Sequence, residues 1–188
     1  MKEIGLKDFE LVRSDEDAEY GEIIDYDLRK VTPMIAVPPN TASIKLLEEV
    51  KDEKINIGII GNCASGKLED IKWAAEILKG KRIQDDFKLF VVPTSNRIYA
   101  EASKRGYLAD LVEVGAFISS PTCDYCYGKA VCLSNGQKAI STQTLNVPGR
   151  LGCVDSDIYL SNAATALTGK LSDASDFMEE GIGYGKNI

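Results

Sequence analysis

The sequence predicts an α/β fold, a three-layer α/β/α arrangement around a mainly parallel sheet. Two observations carry this expectation. Short runs of β-branched residues alternate with amphipathic segments of helical spacing, which is how a parallel sheet with crossover helices reads in sequence. The clearest run, Ile55-Asn56-Ile57-Gly58-Ile59-Ile60, passes through a glycine-bounded turn (residues 61–66) straight into a helical pattern.

Residues 1–19 are polar and charged, with Ser14-Asp15-Glu16-Asp17 at their middle, and read as a weakly packed lead-in. Residues 23–28 suggest a short strand. Pro33, Pro38 and Pro39 make residues 31–40 extended. Thr41 or Ser43 caps a short helix over residues 42–50. After the 55–60 strand, Leu68, Ile71, Ala74, Ala75 and Leu78 place a helix over 67–78, which Gly80 ends. A second buried strand covers 87–92 and is closed by Pro93. A second helix covers 96–105, with Ser95 as cap and Gly106 as stop. A third strand is expected over 111–118, a fourth over 138–141, and a helix over 155–167. The tail from Ser172 is polar and ends in Gly-Ile-Gly-Tyr-Gly. The expected organisation is a lead-in (1–19), one α/β domain (20–172) and a polar tail (173–188).

The chain has 188 residues, enough for one well-buried domain. A net charge of -7 argues against a nucleic-acid surface, which needs a basic face. The longest apolar run is too short to span a bilayer, and the N-terminus lacks the apolar stretch of a signal peptide. Five cysteines without such a signal read as cytoplasmic thiols rather than a disulfide framework. The chain has no histidine. That removes the commonest acid–base residue and the commonest nitrogen ligand, so chemistry falls to thiolates, carboxylates, lysine, arginine, hydroxyls or a partner chain.

The chemistry centres on Pro121-Thr122-Cys123-Asp124-Tyr125-Cys126-Tyr127-Gly128 and on Cys63 in the turn after the first clear strand. A Cys-x-x-Cys pair plus one distant cysteine is the ligand count of an iron–sulfur cluster with one open iron. A zinc ribbon wants two such pairs. Core packing is the plain alternative for any cysteine. In a parallel sheet, ligands bind where the strand C-termini open into loops. Cys63, Thr94 with Ser95, and the Cys-x-x-Cys turn would each follow a strand and emerge at one edge. Gly61-x-x-x-x-Gly66-Lys67 nearly spells a phosphate-binding loop, but Leu68 stands where the magnesium-holding hydroxyl belongs.

These residues resemble the cluster-bearing third domain of the aconitase and isopropylmalate dehydratase superfamily. The family's Gly-Ser-Cys-Thr-Asn turn is matched by Gly61-Asn62-Cys63-Ala64-Ser65, and its Val-Pro-Gly-Ser turn by Val92-Pro93-Thr94-Ser95. Its Pro-Thr-Cys-x-x-Cys-x-Gly is matched in full by residues 121–128, and its Phe-Pro-Gly-Arg by Val147-Pro148-Gly149-Arg150. Tyr20-Gly21-Glu22, Ala36-Val37-Pro38-Pro39-Asn40, Tyr159-Leu160 and Leu167-Thr168-Gly169-Lys170 extend the likeness over residues 20–172. The resemblance implies that Cys63, Cys123 and Cys126 ligate three irons of a [4Fe-4S] cluster, leaving the fourth as a Lewis acid. It implies that Arg150, with Ser95 beside it, binds substrate.

This chain also departs from the family. The Asn-Arg pair ahead of Pro-Gly-Arg falls on Thr144-Leu145, so a carboxylate-binding arginine has become leucine. Ser65 replaces the asparagine after Cys-Thr. The family domains that bring the acid–base histidines and the catalytic serine are missing, so no catalytic residue is assigned here. The expected function is the iron–sulfur subunit of a hydro-lyase that dehydrates or hydrates a small hydroxy acid. Partner chains would supply the N-terminal and swivelling domains. The alternatives are a non-catalytic cluster module, a zinc site adding Cys132 or Cys153, and a nucleotide-binding loop. Cys132 and Cys153 match no ligand position and are expected to be packed or inert thiols.

Overall fold

In the computed structural model, which describes residues 10–27, 30–160 and 168–177, the chain divides into two units, residues 1–31 and 32–188. In the first, the Ala18 N–H donates to the Asp15 carbonyl at 3.1 Å and Lys30 pairs with Asp27 at 3.9 Å. The strand expected at 23–28 is not formed over its described part: residues 22–27 carry no regular structure, and Ile23, Ile24 and Tyr26 are exposed. A strand pairs or it does not persist, and no ladder reaches these residues. Leu28 lies outside the described residues.

The second unit is built on a seven-stranded sheet. In chain order its elements are β1 (Met34–Ala36), β2 (Ile44–Leu46), β3 (Ile57–Gly61), α1 (Leu68–Leu78), β4 (Lys88–Val92), α2 (Asn96–Lys104), α3 (Tyr107–Glu113), β5 (Phe117–Ile118), β6 (Lys138–Ser141) and β7 (Asp157–Leu160). The spatial order is β2-β1-β7-β6-β3-β4-β5. The pairs among β3 to β7 are parallel, and β1 is antiparallel to both β2 and β7. The α/β class and the mainly parallel sheet are as expected.

Alternation along the strands sorts the core into two faces. Ile60, Leu89, Val91, Ile140 and Tyr159 face the helices, meeting Ile71, Ala74, Ala75 and Leu78 of α1, Ala102 of α2, and Leu108 and Leu111 of α3. The α1 residues recur at helical spacing, so one stripe is buried. On the opposite face Ile57, Ile59, Val92, Ala139 and Ile158 meet Tyr125, Val131, Leu133 and Leu151. Among the described residues this third layer is made of irregular segments, and one of them carries the Cys-x-x-Cys turn. It does not extend over the β1–β2 hairpin, where Met34, Ile44 and Leu46 are exposed.

Three expected elements are corrected. Residues 42–50 form β2 and a short 3-10 turn (Leu47–Glu49), not a helix. The Asn40 side chain accepts the Ala42 N–H at 3.0 Å, turning the chain back so that β2 pairs with β1. Of residues 111–118, 111–113 end α3, 114–116 turn, and only Phe117–Ile118 is strand. The buried Leu108, Leu111 and Val114 lie on one helical face, a pattern of period near three that a continuous apolar run conceals. Residues 157–160 form β7, not helix, with Ile158 and Tyr159 buried on opposite faces beside β6. The remainder of that expected helix, 161–167, lies outside the described residues, as does the tail beyond Phe177. Among the described residues, no helix is long and apolar enough to cross a membrane.

Candidate metal centre

The chain runs β3, β4, β5 outward in one direction, then returns to place β6 on the other side of β3. The crevice at the carboxyl ends of β3 and β6 is thus a switch point, where open α/β sheets take ligands. The loops after β3, β4, β5 and β6 carry Cys63, Ser95, Cys123 with Cys126, and Arg150 respectively.

The β3 loop is fastened from four sides. Gly61 has φ +108°, and a Cβ there would lie 2.0 Å from the Val92 carbonyl oxygen, so only glycine fits. The same carbonyl accepts the Asn62 N–H at 2.9 Å. The Thr94 hydroxyl lies 3.2 Å from the Asn62 carbonyl and 3.1 Å from that of Ser65. The Ser65 hydroxyl reaches the Thr142 carbonyl at 2.7 Å, and Thr142 Oγ1 accepts the Gly61 N–H at 2.9 Å. The Asp70 carboxylate takes the Gly66 and Lys67 N–H groups at 3.0 and 2.9 Å. A phosphate-binding loop needs these N–H groups free for its ligand. Here a resident carboxylate holds two of them and Thr142 a third, which weighs against the nucleotide alternative.

On the β5 side, residues Asp124–Cys126 form a 3-10 turn in which the Cys126 N–H donates to the Cys123 carbonyl at 2.9 Å. Tyr125 is buried against Phe90, ring centroids 5.6 Å apart. Gln143 Nε2 donates to the Tyr125 carbonyl at 3.2 Å. These contacts hold the turn so that Cys126 points inward and is buried while Cys123 is exposed.

Cys63 is near enough to both Cys123 and Cys126 to act on their thiols. Cys63 chiefly, with burial and Asp124 adding, raises the Cys123 thiol above its ordinary value. Burial chiefly raises Cys126, with Cys63 and Cys123 adding to the rise and the Arg150 charge opposing it. Among the described residues no group of three or more cysteine, acidic or histidine side chains is placed as it stands to hold a metal ion. What stands at the rim is three thiols, two of them open to solvent. An all-sulfur donor set suits iron–sulfur clusters and other soft metal centres, so by donor type the residues fit the group that the resemblance implies.

Arg150 follows the Val147–Gly149 turn, its own N–H donating to the Val147 carbonyl at 3.1 Å. Its guanidinium stacks on the Tyr127 ring at 5.0 Å, and its Nε is buried without a hydrogen-bond partner. Ser95 caps α2, its hydroxyl oxygen accepting the Ile98 N–H at 3.3 Å, which leaves its proton free to donate. Cys132 is exposed rather than packed, its Sγ 3.6 Å from the Leu133 carbonyl, and Cys153 is half-buried against the sheet's second face.

Sequence reasoning passed over Asn62, Gln143 and Thr142. Asn62 donates its amide N–H to Cys126 Sγ at 3.0 Å. The signal available was an asparagine flanked by glycine and cysteine in a tight turn, where asparagine tolerates the left-handed region. Thr142 and Gln143 gave no signal, because their partners lie 81 and 18 residues away in sequence.

Residues 43–169 match the model of the aconitase family (aconitate hydratase). The chain is 38% identical over 178 residues to the 3-isopropylmalate dehydratase large subunit of Clostridioides difficile (strain 630), covering 92% of this chain and 42% of that protein. It is 35% identical over 181 residues to the protein of that name from Clostridium kluyveri, covering 94% of this chain and 43% of the relative. With the one from Moorella thermoacetica the identity is 36% over 171 residues, covering 88% and 41%. The chain thus spans well under half the length of these relatives. On the strength of a matched segment that contains β2 through β7 and all three of these cysteines, the chain belongs to the aconitase family.

Proposed function

We propose that this chain is the cluster-bearing part of a hydro-lyase that adds or removes water at a small hydroxy acid. The observation that supports the proposal is that the loops after β3 and β5, which carry Cys63 and Cys123 with Cys126, open at the same switch-point edge of the sheet. The three would hold a [4Fe-4S] cluster. When bound, such a cluster supplies a Lewis-acidic iron that polarises a leaving hydroxyl without any net redox change. The chain's own part is to bind and orient. Arg150, braced on Tyr127 and with Nε unpartnered, offers a fork to a substrate carboxylate. Ser95 offers a hydroxyl proton from the neighbouring loop. Leu145, where the family pattern has arginine, is partly exposed. It would place an apolar group of the substrate where other family members bind a second carboxylate.

In the family the acid–base residues lie in domains outside the segment that this chain matches, so a partner bearing the rest of the family's length would supply them. The uncovered Met34, Ile44 and Leu46 face of the β1–β2 hairpin supports a partner-dependent assembly. The domain limits proposed are 20–172 for the α/β domain, between a polar lead-in and tail, and the setting proposed is the cytoplasm.

Anaerobic reconstitution with ferrous iron and sulfide tests the proposal. The expected result is brown protein with iron and acid-labile sulfide in equal amounts. Both should be lost in Cys63→Ser, Cys123→Ser and Cys126→Ser and retained in Cys132→Ser and Cys153→Ser. Reconstituted protein mixed with a partner chain of the family should then hydrate an unsaturated dicarboxylic or alkyl-substituted acid. Colourless protein that retains zinc instead would overturn it. Leu145 favours a second reading, a non-catalytic cluster module, which cluster uptake without activity in any partner pairing would select.

A further inference from the structure

Asn62 is buried to 1% exposure and holds φ +86° between Gly61 and Cys63. Its backbone is pinned at both ends, by the Val92 carbonyl on its N–H and by the Thr94 hydroxyl on its carbonyl. From that backbone the side chain places Nδ2 3.0 Å from Cys126 Sγ. Its Oδ1 is buried with no partner. An orphaned buried carbonyl is costly. In the orientation seen the amide N–H, not the carbonyl oxygen, is the group presented to the Cys126 sulfur. The family pattern noted above has serine at this place, whose hydroxyl is one bond shorter than the asparagine amide.

The geometry points to Asn62 as a positioning residue: its amide N–H holds the Cys126 sulfur in place as a ligand and raises the reduction potential of the centre that this sulfur helps to bind. The inference rests on the cluster proposed above. An N–H aimed at a ligand sulfur draws negative charge toward itself, and the reduced state of a cluster carries one electron more than the oxidised state. The donor stabilises the reduced state more, so the potential rises. Gln143, holding the Tyr125 carbonyl, fixes the same turn from the other side and keeps the sulfur within reach of the amide.

The test compares the full chain with Asn62→Gly and Asn62→Asp after anaerobic reconstitution with ferrous iron and sulfide. Glycine accepts the left-handed backbone and removes the donor. Aspartate keeps the shape and the backbone preference but turns an acceptor oxygen to the sulfur. Far-UV circular dichroism establishes folding, iron analysis establishes loading, and a redox titration followed by electron paramagnetic resonance reads the potential. The expected result is a lower potential in both variants, lowest in Asn62→Asp, or reduced iron loading in a variant that folds as the parent does. Should Asn62→Gly not fold, Asn62→Asp decides by the same readouts. Parent-like iron content and parent-like potential in the folded variants overturn the role of Asn62 alone. A parent chain that binds no iron overturns the cluster proposal and this inference together.

Discussion

Gly61→Ala should loosen the whole rim through a contact far smaller than the site. The added Cβ would sit 2.0 Å from the Val92 carbonyl oxygen, a backbone atom with no rotamer to escape into. That oxygen also accepts the Asn62 N–H, so relieving the clash breaks a buried hydrogen bond. Placing an L-residue at φ +108° costs about 1–2 kcal/mol, and leaving a buried donor unpaired costs about 1–3 kcal/mol. The sum is about 2–5 kcal/mol, or a fall in Tm of roughly 4–20 °C at about 2–4 °C per kcal/mol for a chain of this size. Gly80→Ala is the internal control. Its φ of +70° carries the backbone penalty, but nothing lies within 4 Å of the added Cβ. Thermal unfolding of the metal-free chain, followed by far-UV circular dichroism, should show Gly61→Ala falling clearly further than Gly80→Ala. The reasoning fails if the two variants melt together.

Three further outcomes follow from the same geometry. Asp70→Ala frees the Gly66 and Lys67 N–H groups at the start of α1 and should cost about 1 kcal/mol, read as a shift in the urea midpoint. Burial and neighbouring sulfurs raise Cys126, and Cys63 raises Cys123, so in the metal-free chain their stabilisation is intact below the ordinary thiol value of 9.0 and is lost as pH rises through the raised values. The urea midpoint should therefore drop between pH 8 and pH 11, and a Cys123→Ser, Cys126→Ser double variant should flatten that drop. Arg150→Gln, in the chain assembled with a family partner, removes a charge-assisted hydrogen bond worth about 1.5–3 kcal/mol, so kcat/KM for a carboxylate substrate should fall roughly 10- to 150-fold.

The strands that follow a plain rule were legible from the residues alone. Residues 57–61 and 88–92 are apolar runs closed by glycine or proline, and α1 shows its buried stripe at the expected spacing. The cysteine pair and its upstream partner could be named because a Cys-x-x-Cys turn is a local pattern. What misled was local pattern without its partner. Residues 157–160 carry spacing compatible with a helix, yet a vacant ladder beside β6 makes them strand. Residues 111–114 look like the start of a strand, yet their buried members line one side of α3.

By itself the sequence determined an α/β chain with three chemically suited thiols, an acidic surface and no histidine, because composition and short-range spacing are properties of neighbours along the chain. Only the tertiary structure decided that β6 pairs beside β3, so that the loop bearing Arg150 joins those bearing the cysteines, and that Thr142, Gln143 and Asn62 make the contacts that fasten these loops. Those contacts join residues tens of positions apart, and their geometry exists only once strand pairing has set which loops share a rim.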